Sequence, residues 1–121
     1  MTKYFADSYA YIEILRDNPN YRAYKQSVLI THKINVAEVT YWLIRTNQST
    51  MAKEVSKRLW NEKAPITHNA VQKGMQFKHL KRKDKLSYAD CIGYALAAEL
   101  NIPFLTGDEK FKDLPNVEWV R

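Results

Sequence analysis

Cysteine is nearly absent. Cys91 stands alone among 121 residues, which excludes an internal disulfide and a cluster of thiolate metal ligands, and makes a reducing compartment, the cytoplasm, the expected setting. Glycine and proline are scarce too: three and four residues, scattered along the chain, form no linker, low-complexity block or repeat, so a single domain over residues 1–121 is expected. No apolar run approaches the roughly 18 residues needed to span a bilayer, and the opening "MTKYFADSYAY" lacks the apolar core and small-residue cleavage site of a signal peptide. No membrane partner is expected.

Hydrophobic residues make up 45% of the chain and aromatic residues 12%, enough for a sizeable core in one domain. The charge is one-sided. Nineteen Lys and Arg against thirteen Asp and Glu give +6, a balance that favours polyanions as partners. Its sharpest concentration is "KGMQFKHLKRKDK", where Lys73, Lys78, Lys81, Arg82, Lys83 and Lys85 face only Asp84. This run reads either as a solvated helix end or as a phosphate-contacting surface.

Short apolar runs alternate with helical patterns. "KYFAD" predicts a strand over Tyr4–Ala6 with Asp7 at its carboxyl end; a helix follows from Ser8 and is stopped by Asn18-Pro19, with a short second helix over Asn20–Gln26. "SVLITH" (27–32) reads as a strand and "INVAEVTYWLIRT" as a helix with Val36, Val39 and Leu43 on one stripe. A helix over Ser49–Asn61, a short strand at "APIT" (64–67) and a helix from Asn69 come next. "LSYADCIGYALAAELN" is a helix capped by Ser87, whose small-residue row Ala89, Gly93, Ala97 suits close packing on a sheet. "IPFLT" and "VEWV" (117–120) close the chain as strands. The pattern predicts an α/β fold: an open, mainly parallel sheet of about four to five strands covered by helices on both faces.

In such sheets ligands sit beyond the carboxyl ends of the strands. Asp7 follows the first strand and Asp108 follows "IPFLT"; Glu38 lies in the first turn of the helix after "SVLITH", and Asp90 in the first turn of the helix that feeds "IPFLT". Each acid also has a local explanation. Glu38 and Asp90 stand three residues after the caps Asn35 and Ser87, Asp7 can cap its own helix, and Asp108 can be a turn residue after Gly107. Four carboxylates at one edge would, however, repel by about 4 kcal/mol per close pair at an effective dielectric near 20. A divalent cation with a preference for oxygen, Mg²⁺ or Mn²⁺, offsets that repulsion, and the helix N-termini help to keep Glu38 and Asp90 ionised. Metal-assisted phosphodiester hydrolysis suits such a site.

The segments "YFADSYAYIEIL", "INVAEVTYWL", "LSYADCIGYALAAELNIPFLTGD" and "EKFKDLPNVEWV" resemble, in order and over nearly the whole chain, the PIN domain, in particular the toxin ribonucleases of VapBC-type toxin-antitoxin pairs. The resemblance implies a three-layer α/β/α sandwich, one or two Mg²⁺ or Mn²⁺ ions, and endoribonuclease activity. Asp7 matches the first-strand acid, Glu38 the acid of the helical segment, Asp90 that of "SYAD" and Asp108 that of "TGD"; Ser8 and Thr106 match the small hydroxyl residues beside them, suited to orient a carboxylate or water. An RNA substrate, an antitoxin partner and a homodimer are also implied. Residues 48–85 match only in helical character, so the basic run takes no role from the resemblance.

Two other readings compete. A phosphate-receiving signalling domain needs two adjacent acids after the first strand, and "FADSYAY" offers one. A PIN-fold module that binds RNA or scaffolds without catalysis would keep the fold. Among the remaining polar and aromatic residues, His32, His68 and His79 have no ligand spacing and read as structural or exposed, Trp42, Trp60 and Trp119 as core, and Phe111 as an anchor for the loop after Asp108.

Overall fold

The computed structural model describes residues 1–121. Four strands, β1 (Lys3–Ala6), β2 (Val28–Ile30), β3 (Phe104–Thr106) and β4 (Val117–Trp119), form one sheet in the order β2-β1-β3-β4. Every pairing is parallel, with Phe5 opposite Ile30 and Phe104, and Phe104 opposite Val117. All strands therefore end at one edge. The chain runs from β1 to one neighbour and later returns on the other side, so the topological switch point lies between β1 and β3.

Five helices cover the sheet: α1 (Ser8–Leu15), α2 (Lys33–Arg45), α3 (Ser49–Glu62), α4 (His68–Leu80) and α5 (Tyr88–Glu99). Period-two alternation divides the core. Ala6 and Leu105 face the layer of α1, α2 and α3, where Ala10, Val36, Val39, Leu43, Val55 and Leu59 are buried; Phe5 and Phe104 face α4 and α5, against Ala70, Cys91, Leu96 and Ala97. The result is the expected α/β/α sandwich. The small row of α5 does bring it close: a Cβ on Gly93 would lie 2.8 Å from the Phe5 ring.

The scarcity of glycine shapes the helix ends. Asp17, Asn47 and Asn101, each just past a helix, take φ of 59°, 63° and 57°, the left-handed cap that Asx residues tolerate best after glycine. Helix α1 thus ends before Asn18-Pro19 rather than at it: the Asp17 and Asn18 amides bond back to the Ile14 and Glu13 carbonyls. Asn18 instead caps the following 3-10 segment, Pro19–Gln26, through the Asn20 amide.

"APIT" is not a strand. Only one backbone bond joins it to β2's extension, Ala64 N–H to the Thr31 carbonyl at 2.8 Å, because Pro65 has no N–H to continue a ladder and the Thr67 hydroxyl caps α4 at the Ala70 amide. Trp60 is also not core. It is 54% exposed under the Lys63 ammonium, since α3 turns Ala52, Val55 and Leu59 inward and the residue after Leu59 points about 100° away. Trp42 and Trp119 are half-buried, and Phe111 is fully buried as expected.

Candidate active site

The switch point places the acids. Asp7 follows β1 and Asp108 stands two residues beyond β3, while α2 and α5 bring Glu38 and Asp90 to the same edge. Their side chains border one cleft of about 290 Å³ together with Ser8, Ser87 and Tyr9. The four acids named from the sequence meet there.

Local hydrogen bonds hold each in place. Asp7 is the N-cap of α1: its Oδ1 accepts from the Ala10 amide at 2.8 Å and its Oδ2 from the Thr106 hydroxyl at 2.5 Å. Thr106 Oγ1 in turn accepts from the Asp108 amide at 3.0 Å, and Asp108 Oδ1 accepts from the Lys110 amide at 3.0 Å, closing a turn. One hydroxyl therefore ties two acids together. The Ser8 hydroxyl donates to Glu38 Oε1 at 2.5 Å and accepts from Asn35 Nδ2 at 3.0 Å. Ser87 caps α5 through the Asp90 backbone amide, leaving the Asp90 carboxylate directed to the cleft.

Two details of α2 differ from the sequence reading. Its cap is His32, not Asn35, and Asn35 completes a capping box by accepting from the His32 amide. With the helix beginning at Lys33, Glu38 falls in the second turn, not the first. His32 is fully buried; its Nδ1 accepts from the Ile34 and Asn35 amides and its Nε2 lies 2.9 Å from the Ala89 carbonyl. That geometry requires the neutral tautomer with the proton on Nε2, and burial lowers its pKa in the same sense. His32 so pins the start of α2, the Glu38 helix, to the first turn of α5, the Asp90 helix. Nothing in the spacing of the chain announces this contact.

The site is short of positive charge. Burial pushes Asp7 up to about 8, and the Asp90 and Asp108 charges add to the rise against the Thr106 and Ala10 bonds. Asp90 is pushed up to about 6, again by burial first; Ser87 opposes the shift, Glu38 and Asp108 reinforce it, and Lys110 opposes it. The N-terminus of α5 does not keep Asp90 in the ordinary carboxylate range, because desolvation outweighs a helix end worth about 1 kcal/mol. Lys110, a cation the sequence reading passes over, stands close enough to act on Asp90.

No His, Cys, Asp or Glu cluster forms a ready-made cage of three or more ligands for an ion. The donors at the cleft are nonetheless all oxygens, with Asp108 Oδ2 uncommitted to hydrogen bonds and the Asp90 carboxylate bordering the cleft beside the Ser87 hydroxyl, which suits an ion that keeps several waters. The donor chemistry fits Mg²⁺ or Mn²⁺.

The six cations of the basic run divide. Lys73 borders a separate groove with Asn69 and Glu99, and Glu99 lies nine residues along α5 from Asp90, about 14 Å of helix. It does not reach the cleft. Lys78 donates to the Leu86 carbonyl and lies 4.7 Å over the Tyr88 ring. Lys81, Arg82, Lys83 and Lys85 sit in the turn that leads into Ser87 and α5, and none makes an ion pair.

An all-parallel α/β/α domain with carboxylates gathered at its switch point defines a class, and the PIN domain family model matches residues 4–117. The chain belongs to the PIN domain family. Among solved structures it is similar to a toxin-antitoxin complex from Klebsiella pneumoniae (16% identity, TM-score 0.72, 95% of each chain covered). It is likewise similar to VapBC2 from Rickettsia felis bound to a DNA fragment from its promoter (14%, TM-score 0.71, 99% of this chain and 100% of that one). VapC20 from Mycobacterium tuberculosis, a Sarcin-Ricin loop cleaving toxin, is a third (16%, TM-score 0.69, 97% and 98%). At such identities the likeness is one of fold. Comparison with curated protein sequences gives no match.

Proposed function

We propose that this protein is a metal-dependent endoribonuclease that hydrolyses RNA phosphodiester bonds, and that it serves as the toxin of a toxin-antitoxin pair. The observation that carries the reading is the convergence of Asp7, Glu38, Asp90 and Asp108 from four elements onto one cleft, with two of them held above the ordinary carboxylate range. Structural carboxylates without cations are costly, and the excess charge is what a divalent ion relieves. The four acids would hold Mg²⁺ or Mn²⁺, which when bound supplies water activation and charge balance on the attacking and leaving oxygens.

The chain's own groups do the positioning. Ser8 fixes Glu38, Thr106 fixes Asp7 and the Asp108 turn, and Ser87 fixes the helix that carries Asp90. The exposed cations Arg82, Lys83 and Lys85, close to Ser87, offer contacts for backbone phosphates that the carboxylates would otherwise repel. Similarity in fold to toxins of VapBC complexes supports an antitoxin partner; a homodimer and a cytoplasmic setting belong to the same proposal.

The test is incubation of the protein with structured and single-stranded RNA in Mg²⁺, Mn²⁺ or EDTA, with Asp90→Asn as the control. The variant keeps the backbone amide that Ser87 caps, so the fold is retained, and cleavage falls by more than about 100-fold. Cleavage that survives EDTA, or an Asp90→Asn protein that cuts like the wild type, overturns the reading. Tight RNA binding without cleavage in either metal identifies instead a catalytically silent RNA-binding or scaffolding module.

A further inference from the structure

Tyr9 is the one hydrophobic side chain at the carboxylate cleft. It lies in the first turn of α1, two residues after Asp7, and is 46% exposed while its neighbours Ala10 and Tyr11 are buried. Its position is set by what lies under it. A Cβ on Gly107 would come within 2.2 Å of Tyr9 Cε1 and 2.8 Å of Cδ1, so the ring rests on bare backbone that only glycine leaves open. The same Cβ would stand 2.8 Å from the Tyr21 hydroxyl, which is itself tied to the Val120 carbonyl at 2.6 Å. The ring is seated from below by Gly107, one residue before Asp108, and open to water above.

Tyr9 thus presents an aromatic face, half in water, beside a polar cleft. At a site that holds a phosphodiester, the adjoining group is a nucleobase, and every base carries a face that stacks on tyrosine. We propose that Tyr9, seated on Gly107, is the stacking platform for one base next to the scissile phosphate, and so a specificity-determining residue of the RNA site; the inference rests on the ribonuclease reading above. The polar walls of the cleft leave Tyr9 alone to recognise a base by its face. The preference it imposes therefore follows stacking strength, purine over pyrimidine, rather than a hydrogen-bond code.

The experiment uses a 12-nucleotide RNA centred on a cleavage position mapped in the assay above, together with copies that carry an abasic site at each position in turn. With intact RNA, Tyr9→Leu lowers kcat/KM by about 5- to 150-fold, the effect of losing one base stack worth about 1–3 kcal/mol, whereas Tyr9→Phe stays within about twofold. At one abasic position, beside the cut, the wild type drops to the level of Tyr9→Leu and the variant shows no further loss. A purely structural defect would weaken cleavage of every abasic RNA alike. Equal losses at all positions, or no loss in Tyr9→Leu, overturn the assignment while the ribonuclease reading stands. Failure of the wild type to cut any RNA removes that reading, and the Tyr9 assignment falls with it.

Discussion

Asp7→Asn should stabilise the metal-free protein, although Asp7 lies at the centre of its site. The carboxylate is 2% exposed, and burial with the Asp90 and Asp108 charges raises its pKa from 3.8 to about 8. Between those values the folded protein binds a proton that the unfolded chain has released, so stability falls as pH rises through that window and is fully present only below it. At about 1.4 kcal/mol per unit, the loss reaches about 4 kcal/mol by pH 7. Asparagine escapes the loss. Its carbonyl accepts from the Ala10 amide and its NH₂ can donate to the Thr106 hydroxyl, and asparagine caps helices as well as aspartate. After weakening of the Thr106 contact, a net gain of about 1–4 kcal/mol at pH 7 is expected, or about 4–16 °C in Tm for a chain of this size. The assay is thermal unfolding of both proteins in EDTA from pH 4 to pH 8. The gap between them should open with pH and vanish near pH 4; adding Mg²⁺ should narrow it by stabilising the wild type, by about 2.7 kcal/mol at 100 times the dissociation constant. An Asp7→Asn protein less stable than the wild type at pH 7, or a gap independent of pH, would refute the reasoning.

Three further outcomes follow from the contacts. Ser8→Ala removes the donor to Glu38 and the acceptor for the buried Asn35 amide, and should lower kcat by about 10- to 100-fold and stability by about 1–3 kcal/mol, read by thermal unfolding. Gly74→Ala places a Cβ 2.9 Å from the Cys91 carbonyl oxygen where α4 crosses α5; denaturant unfolding should show a loss of about 1–3 kcal/mol, with kcat of the folded fraction preserved. Joint Arg82→Glu and Lys83→Glu substitution should raise KM without lowering kcat and flatten the salt dependence of RNA binding by about two charges, as read from binding at several salt concentrations.

The sandwich and the acidic edge are legible because their signals are local. A β-branched or aromatic triplet followed by an acid, and a small-residue row at i+4 spacing, each sit within one element. The failures occur where distant residues decide. "APIT" has the composition of a strand, but Pro65 and the use of Thr67 as a cap deny it a ladder. The His32 ring reads as a residue without ligand spacing because its partner at Ala89 is 57 positions away. Tyr9 carries no motif at all; its significance lies in Gly107, which only the fold brings beneath it.

The sequence poses capping and metal binding as rival explanations for the same acids, but in the structure one does not preclude the other. An ionised carboxylate has about four lone-pair sites, and capping occupies one. Asp108 gives Oδ1 to the Lys110 amide and keeps Oδ2; Asp90 leaves capping of the helix to Ser87, and its carboxylate borders the cleft. Because the caps fix where each acid stands, they prevent the carboxylates from swinging apart to relieve their repulsion. The helix ends that provide those caps do not supply enough positive charge to hold Asp7 and Asp90 in the ordinary range. Local structure thus creates the excess of negative charge, and on the proposed reading a divalent cation at the cleft would resolve it.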